Sequence, residues 1–335
     1  MKRRSFLKLF ALTGTAAAAG TAIAYRDSIE SVMHGGQYRI SQTQNAIGTH
    51  VDVTAIGPSQ FQTEDAVAAA FADLRNMENI MTRFGNKSPV CELNAEGRVE
   101  NIPVELASLY QTCDFFYRDT DGAFDITVKP LLDLMQKRAE QGRQPTESEI
   151  SDILPHIGAS RLQMHGSSLT LAEGMAITFD GAAPGFIADR MANILKSQGI
   201  ENFLVNAGGE IRTSGRPQNA AAWRVAIQDP TKKGNFPGFL AMNNMAVSTS
   251  GNYEISFGGD FHHIVNARTG HSPNLASVTV TAPTALEADI LSTALFVMSP
   301  DEALAYVNNH PQYACLIIDN DGNRTVSPSM KSILA

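Results

Sequence analysis

The uneven distribution of helix and strand patterns along the chain constrains its fold more than any other sequence feature. Between residues 63 and 154, apolar residues recur mostly at helical spacing. From residue 161 onward, short strand-like runs dominate, and turn residues such as Gly166 and Ser167 separate neighbouring runs. Strands that are grouped and joined by hairpin turns favour an α+β fold over a doubly wound parallel sheet. We therefore predict one compact unit of two interlocked lobes, with mixed or antiparallel sheets and flanking helices.

The same periodicity predicts individual elements. The predicted helices cover 63–84, 103–117, 130–139, 146–154, 185–198, 285–297 and 300–308. The predicted strands cover 48–57, 161–165, 168–172, 176–179, 203–206, 223–228, 239–242, 245–249, 262–266, 277–282 and 314–319. No repeat or low-complexity stretch interrupts the sequence, so no boundary inside this unit is predicted.

The first 24 residues have the pattern of an export address. The sequence MKRRSFLK at 1–8 places an arginine pair before Ser, Phe, Leu and Lys, and residues 9–24 carry no charge. This pattern resembles a twin-arginine export signal. An uncleaved membrane anchor is the alternative, although a membrane span needs about 20 strongly apolar residues. We expect a signal at 1–24, a single domain at 25–335 and a periplasmic location, with residual inner-membrane association if the signal is not cleaved.

Charge and motif content exclude several functional classes. The 335-residue chain has a formal charge of −8, which argues against nucleic acid as a partner and means that an anionic phosphate ligand would need a local cation. The sequence lacks GxxxxGK[ST], a strand followed by GxGxxG, HExxH and GxSxG, so common nucleotide-binding and hydrolase motifs are absent. Three widely spaced cysteines, at 91, 113 and 315, indicate neither a zinc cluster nor a disulfide framework.

The segment 281–297 carries the clearest candidate metal ligands. In a helix over 285–297, Asp289, Ser292 and Thr293 stand at positions i, i+3 and i+4 and share one face. One carboxylate with hydroxyl groups suits a hard cation such as Mg²⁺, which retains waters and completes its coordination with ligand phosphates. Alternatively, the two hydroxyls bond to helix carbonyls and the carboxylate has only a structural role.

Two other segments carry candidate catalytic and ligand-binding groups. In a strand, His262 and His263 point to opposite faces, so at most one enters a given site and acts there as a base. An ordinary hydrogen-bonded strand histidine is the alternative. In the segment 122–135, Gly122 permits close approach of a planar ligand and Asp125 can accept hydrogen bonds from it, although a plain loop before a helix has the same pattern.

Taken together, these segments resemble the ApbE family, whose members are FAD:protein FMN transferases. The similar blocks are IGTHVDV at 47–53, MTRFGNKSPVCELN at 81–94, GAFDITVKPLLDL at 122–134, GAAPGFIADRMANILKSQGIENFLVNAGGEI at 181–211, WRVAIQDP at 223–230, AVSTSGNYE at 246–254, HIVNARTG at 263–270 and VTVTAPTALEADILSTALFV at 278–297. They span nearly all of the chain after the predicted signal. The resemblance therefore implies an ApbE-like α+β fold.

The resemblance also implies site residues and ligands. The implied Mg²⁺ ligands are Asp289, Ser292, Thr293 and the backbone carbonyl of Gly181. The implied catalytic residue is His263. The implied contacts to the FAD substrate are Phe84, Ala123, Phe124, Asp125, Thr178, Pro184 and Ile264. At 178–185 this chain reads TFDGAAPG where relatives usually read DLGGIAKG, so Thr178 and Pro184 replace residues that approach the ligand.

The activity implied by the resemblance is Mg²⁺-dependent transfer. Such an enzyme cleaves the FAD pyrophosphate, attaches FMN through a phosphoester to a Ser or Thr hydroxyl of an acceptor protein, and releases AMP. With the export pattern, the expected acceptor is a flavoprotein subunit of a periplasmic or membrane respiratory or electron-transfer system. The departures at Thr178 and Pro184 leave open a non-catalytic FAD carrier or assembly factor. An FAD pyrophosphatase, with water replacing the acceptor hydroxyl, is a further alternative.

Overall fold

The computed structural model describes residues 28–84, 87–218, 220–231, 234 and 236–334. The predicted export signal lies outside the described residues. In chain order the described helices are α1 Gln60–Met81, α2 Pro89–Glu96, α3 Val104–Asp119, α4 Lys129–Glu140, α5 Glu147–Ile153, α6 Ala183–Ser197, α7 Ala285–Val297, α8 Pro300–Asn309 and α9 Pro328–Lys331. Within the described ranges, no helix is both long and apolar enough to span a lipid bilayer.

The strands form one large antiparallel sheet and three small ones. They are β1 Ser28–His34, β2 Gln37–Ala46, β3 Thr49–Gly57, β4 Arg98–Val99, β5 Gln163–His165, β6 Ser168–Thr170, β7 Asn202–Ala207, β8 Glu210–Ser214, β9 Trp223–Ala226, β10 Phe239–Met242, β11 Ala246–Gly251, β12 Ser256–Gly258, β13 Phe261–His262, β14 Leu275–Ala282, β15 Ala314–Asp319 and β16 Arg324–Val326. The large sheet has the order β1-β2-β3-β7-β8-β11-β14-β15-β16. Every pair of neighbours in it is antiparallel. The α+β prediction is therefore confirmed.

The large sheet separates two hydrophobic cores, and β15 shows how. Cys315 and Ile317 of this strand belong to the larger core, which the sheet forms with α1, α6 and α7. Ala314, Leu316 and Ile318 belong to the smaller core on the opposite face, with β9, β10 and α9. Alternate residues of a strand point to opposite faces, so a strand covered on both sides is apolar throughout.

Close packing of α6 against α7 holds the start of α7 in place. A capping box begins α7, and the Asp189 carboxylate of α6 accepts hydrogen bonds from the backbone N–H groups of Ala285 and Leu286, both at 2.9 Å. Gly185 lies at a close approach of α6 to α7, since a Cβ built there would be 2.5 Å from the carbonyl oxygen of Ala285. The two helix starts therefore meet at one point, beside the middle of the large sheet.

Several predicted elements have the predicted bounds, whereas others were missed. The helix at 285–297 and the strands at 239–242 and 314–319 match residue for residue. The hairpin β1–β2, the short helix α2 and the strand β8 were not predicted. The β2 sequence QYRISQTQNA is mostly polar and partly exposed, so it lacks the apolar alternation on which strand prediction depends.

The prediction of a strand at 176–179 is wrong. These residues form an irregular segment, in which the backbone N–H of Thr178 donates to the carbonyl of Ile126 at 2.8 Å. The neighbouring Ile177 exchanges hydrogen bonds with the side chain of Asn94 instead of another strand. The buried apolar residues that suggested a strand pack into the core from a loop.

The strand predicted at 262–266 is also largely wrong, because only Phe261–His262 is extended and paired. The chain turns immediately afterwards, and the carbonyl of Asn266 accepts a hydrogen bond from the N–H of Gly270 at 2.8 Å. This turn uses the backbone groups that a longer strand would have offered to a neighbour.

Candidate active site

A cavity of about 640 Å³ lies among the large sheet, α4, the start of α6 and the middle of α7. Its volume is in the range of sites that hold small molecules and cofactors. Ten of the residues proposed from the sequence line it: Ala123, Phe124, Asp125, Thr178, Gly181, Pro184, His263, Ile264, Asp289 and Thr293. Residues more than 100 positions apart in sequence therefore share one cavity wall.

The middle of α7 contributes a buried carboxylate and a hydroxyl. Asp289 and Thr293, one helical turn apart, both line the cavity, and the N–H of Gly185 donates to Asp289 Oδ2 at 3.0 Å. Gly181 is close, because a Cβ built on it would lie 3.1 Å from Thr293 Oγ1. Burial raises the pKa of Asp289 well above its usual range, and the nearby charge of Glu210 raises it further.

Ser292 differs from its two neighbours on α7, because it is buried outside the cavity wall. Its Oγ donates to the carbonyl of Asp289 at 2.9 Å, as serines within helices often do. It also lies 2.8 Å from Ser250 Oγ and 3.2 Å from Ser248 Oγ. Ser292 thus connects α7 to β11.

The two histidines occupy different environments. His263 lines the cavity, and its Nδ1 lies 3.4 Å from the carbonyl oxygen of Ile255. Burial, with the nearby His262 acting in the same direction, lowers the pKa of His263 to about 4, so the imidazole is neutral at pH 7. His262 is buried outside the cavity wall, with Nε2 3.0 Å from the carbonyl oxygen of Pro273. Of the two histidines, only His263 lines the cavity, and strand alternation does not explain this because the strand ends at His262.

The Asp125 carboxylate is engaged in local hydrogen bonds. Its Oδ1 accepts from the backbone N–H of Thr127 at 2.8 Å and from the Thr127 hydroxyl at 2.6 Å, and its Oδ2 accepts from Ala159 N–H at 3.3 Å. Burial raises the pKa of Asp125, although these bonds act in the opposite direction. The bonds hold the 123–125 segment against the cavity.

Phe84 lies outside the cavity wall and is 50% exposed. The guanidinium carbon of Arg83, which does line the cavity, lies 4.5 Å from the centre of the Phe84 ring. Arg83 also forms an ion pair with Asp180, with 2.7 Å between Nη2 and Oδ2. Sequence reasoning missed Arg83 and Asp180, although both lie beside residues that the resemblance had singled out.

Glu210 is another cavity residue that sequence reasoning missed. Burial raises the pKa of this carboxyl to about 7, whereas a hydrogen bond from the Ser248 hydroxyl acts in the opposite direction. The preceding pair Gly208 and Gly209 indicates close backbone approach in the sequence, and this signal could have directed attention to the residue. Among the described residues, no three His, Cys, Asp and Glu side chains group as a metal cluster.

The fold and the site together define a class of protein. A neutral imidazole, buried carboxyl groups and a hydroxyl line one cavity of about 640 Å³ beside the large antiparallel sheet. A cavity with a few polar groups and shifted pKa values is typical of the active site of an enzyme that acts on a small molecule or cofactor.

The chain belongs to the ApbE family, whose profile matches residues 47–317. Two curated relatives are named FAD:protein FMN transferase. The one from Haemophilus influenzae is 30% identical, over 84% of this chain and 87% of the relative. The one from Escherichia coli K12 is 31% identical, over 77% of this chain and 78% of the relative. The prediction that this chain is a transferase is confirmed.

Solved structures support the same family. The ApbE protein of Thermotoga maritima has a TM-score of 0.81 at 29% identity, with 89% of this chain and 99% of that chain covered. The flavin transferase ApbE from Vibrio cholerae has a TM-score of 0.79 at 25% identity, with 92% and 100% covered. The ApbE-like fold expected from the sequence is therefore confirmed.

Proposed function

We propose that this protein is a Mg²⁺-dependent FAD:protein FMN transferase. It cleaves the pyrophosphate of FAD, attaches FMN through a phosphoester to a Ser or Thr hydroxyl of an acceptor protein, and releases AMP. The observation that carries the proposal is the meeting of Asp289, Thr293, Gly181 and His263 around one nucleotide-sized cavity, in a chain of the ApbE family. The names of the curated relatives support the same activity.

The donor chemistry around Asp289 fits Mg²⁺. The Asp289 carboxylate, the Thr293 hydroxyl and the Gly181 carbonyl are all oxygen groups, which hard cations prefer. Burial and the Glu210 carboxylate disfavour the Asp289 charge, so a cation at this point would compensate a real electrostatic cost. When bound, Mg²⁺ would offset negative charge on the phosphate oxygens. We assign Ser292 the role of holding α7 against β11, because its hydroxyl bonds to other protein groups.

His263 is suited to take the proton of the acceptor hydroxyl. Burial keeps its imidazole neutral at pH 7, which leaves one nitrogen able to accept a proton. Donation from Nδ1–H to the Ile255 carbonyl would direct the accepting Nε2 toward the cavity. Proton transfer of this kind contributes a factor of roughly 10² to 10⁴ to enzymatic rates.

The remaining proposed residues form a wall suited to a flat ligand. Phe124 and Ile264 are apolar and buried, and Ala123 adds a small side chain to the same wall. Pro184 and Thr178 also line the cavity, so the departures from the usual family pattern lie at the substrate surface. We propose that these five residues contact FAD. Asp125 positions the segment that carries Ala123 and Phe124, and Phe84 contacts FAD from outside the cavity wall.

The acceptor and the location are also part of the proposal. The export pattern in residues 1–24 supports a periplasmic enzyme, and its acceptor is then a flavoprotein subunit of a periplasmic or membrane electron-transfer system. Comparison of covalently bound flavin in cells with and without this chain identifies the acceptor. The expected result is one protein that loses its FMN in the deletion strain.

A mass measurement tests the reaction itself. Purified protein is incubated with FAD, Mg²⁺ and the acceptor, and both the acceptor mass and the free nucleotides are measured. A covalent FMN increment with AMP release supports transfer. Free FMN and AMP without an increment indicate a pyrophosphatase, and bound, intact FAD indicates a carrier; both results contradict the proposal. Asp289→Asn should prevent the FMN increment, because it removes the carboxylate proposed to hold Mg²⁺. Asp152→Asn, which removes an exposed carboxylate on α5, is its control and should leave the increment unchanged.

A further inference from the structure

The charges lining the cavity are very unequal. Eight carboxyl side chains of the described residues line it: Asp52, Asp125, Asp133, Glu140, Asp180, Glu210, Glu254 and Asp289. Of the arginines and lysines in the described part of the chain, only Arg83 lines it. A ligand with phosphate groups therefore meets a single fixed positive charge on the described wall.

The guanidinium of Arg83 is held on one edge and available on the other. Its Nε lies 3.0 Å and 2.8 Å from the two carboxylate oxygens of Asp180, and its Nη2 lies 2.7 Å from Oδ2. Nη1 has no hydrogen-bond partner among the described residues. A guanidinium presents five N–H donors in a planar fork, so one edge can bind a carboxylate while another binds a second anion.

The ion pair lies beside the proposed reaction centre. Asp180 precedes Gly181, and Gly181 approaches Thr293 of α7. The side chain of Arg83 is only 16% exposed although that of Asp180 is 48% exposed, so the cation is the more enclosed partner. Enclosure strengthens a charge-assisted hydrogen bond to a ligand, because less water competes for the donor.

We propose that Arg83 binds a diphosphate oxygen of FAD through the edge of the guanidinium that Asp180 leaves free. The inference rests on the proposed function, because it takes FAD as the substrate. Arg83 is then a specificity-determining residue that favours flavins with phosphate groups over riboflavin. Arginine suits this task because its fork pairs with phosphate oxygens in a defined geometry.

A purely structural ion pair is the competing explanation. Arg83 and Asp180 join the segment after α1 to the segment before α6, and the pair could serve only to hold those segments together. In that case, loss of the ion pair disturbs the whole cavity wall and weakens the binding of all flavins alike. If Arg83 contacts a phosphate, its loss instead weakens the binding of FAD and leaves the binding of riboflavin nearly unchanged.

The test compares FAD and riboflavin binding by fluorescence titration in buffer with Mg²⁺. All variants carry His263→Ala, so that FAD is not consumed. Arg83→Gln should raise the FAD Kd by at least about tenfold, and that of riboflavin by less than about twofold. Arg83→Lys, which retains the charge, should recover part of the preference. Arg190→Gln is the matched control, since Arg190 makes a similar two-point ion pair with Asp73 but does not line the cavity.

Asp180→Asn separates the two explanations. It removes a carboxylate from beside the ligand and leaves Arg83 in place, so the FAD Kd should stay within about twofold or fall. If Asp180→Asn and Arg83→Gln weaken both flavins equally, the pair is structural and the inference is wrong. If Arg83→Gln does not fold, the ratio of FAD to riboflavin affinity in Arg83→Lys decides, and an unchanged ratio overturns the inference.

The two proposals fail in different ways. If the His263→Ala protein with Arg83 intact does not bind FAD, both fail. If the His263→Ala protein binds FAD and the Arg83 variants prefer FAD over riboflavin to the same extent, only the inference about Arg83 fails. The transfer activity of the protein with His263, measured by acceptor mass, is an independent readout of the proposed function.

Discussion

Replacing Gly185 by alanine tests the contact between α6 and α7 that supports the site. The added methyl would lie 2.5 Å from the carbonyl oxygen of Ala285 and 2.8 Å from Cβ of Asp289. Ordinary contacts between such atoms are longer by about 1 Å. The first neighbour is helix backbone, which cannot rotate away, so α6 and α7 must separate.

Opposing effects decide how much Gly185→Ala changes the free energy of unfolding. Helix propensity alone favours alanine over glycine by about 1 kcal/mol. Overpacking costs typically about 1–3 kcal/mol. Separation of the helices also weakens the 3.0 Å hydrogen bond from Gly185 N–H to Asp289, and an ordinary hydrogen bond contributes about 0.5–1.5 kcal/mol. We expect a net loss of about 1–3 kcal/mol in the free energy of unfolding.

Urea unfolding followed by circular dichroism measures the change. Asn193→Ala is the matched control, because it lies on the exposed side of the same helix and reports propensity without a clash. It should leave stability unchanged or raise it slightly. A Gly185→Ala protein as stable as the parent, or more stable, would refute the reasoning from close approach.

Further predictions concern the groups in the cavity. Asp289→Ala should lower Mg²⁺-dependent transfer, measured by acceptor mass, by at least about a hundredfold; normal turnover would contradict its assignment. His263→Ala should lower kcat by about a hundredfold or more while the FAD Kd, from titration, changes little; a change confined to Kd would contradict the assignment as a base. The pKa of His263 falls from 6.5 to about 4 on folding, so the free energy of unfolding of the metal-free protein should decrease as pH falls from about 6.5 to about 4. In urea unfolding at several pH values, His263→Asn should make this decrease smaller. The pKa of Glu210 rises from 4.5 to about 7 on folding, so its contribution to the free energy of unfolding is present at low pH and is lost as pH rises through about 7. The stability of Glu210→Gln relative to the parent should therefore be greater at pH 8 than at pH 5. An equal stability difference at the two pH values would contradict this.

Local features of the fold could be predicted closely from the sequence. The bounds of α7 follow from an apolar run that ends at Val297, and in the structure a capping box formed by Thr284 begins the helix. The presence of Asp289 and Thr293 on one wall follows from helical spacing, because residues four apart lie above one another. Helical spacing could not show that Ser292, three positions after Asp289, bonds instead to β11, since that depends on a neighbouring strand.

The resemblance to known blocks extended the prediction to residues that are distant in sequence. It proposed that Gly181, His263 and the 123–125 segment belong with α7, and the cavity contains all of them. It assigned no role to Arg83, Asp180 and Glu210, because their importance depends on which charges face one another across the cavity.

Patterns of neighbouring residues therefore determined the α+β class, the main helices and strands, and the side chains that share a helix face. These properties depend on backbone periodicity and on capping, which act over a few residues. Only the tertiary structure decided that Arg83 pairs with Asp180, that Ser292 bonds to β11 and that residues 263–266 leave the strand. These properties depend on close packing and on burial of charge between segments distant in sequence, where small differences in approach determine which partner each polar group finds.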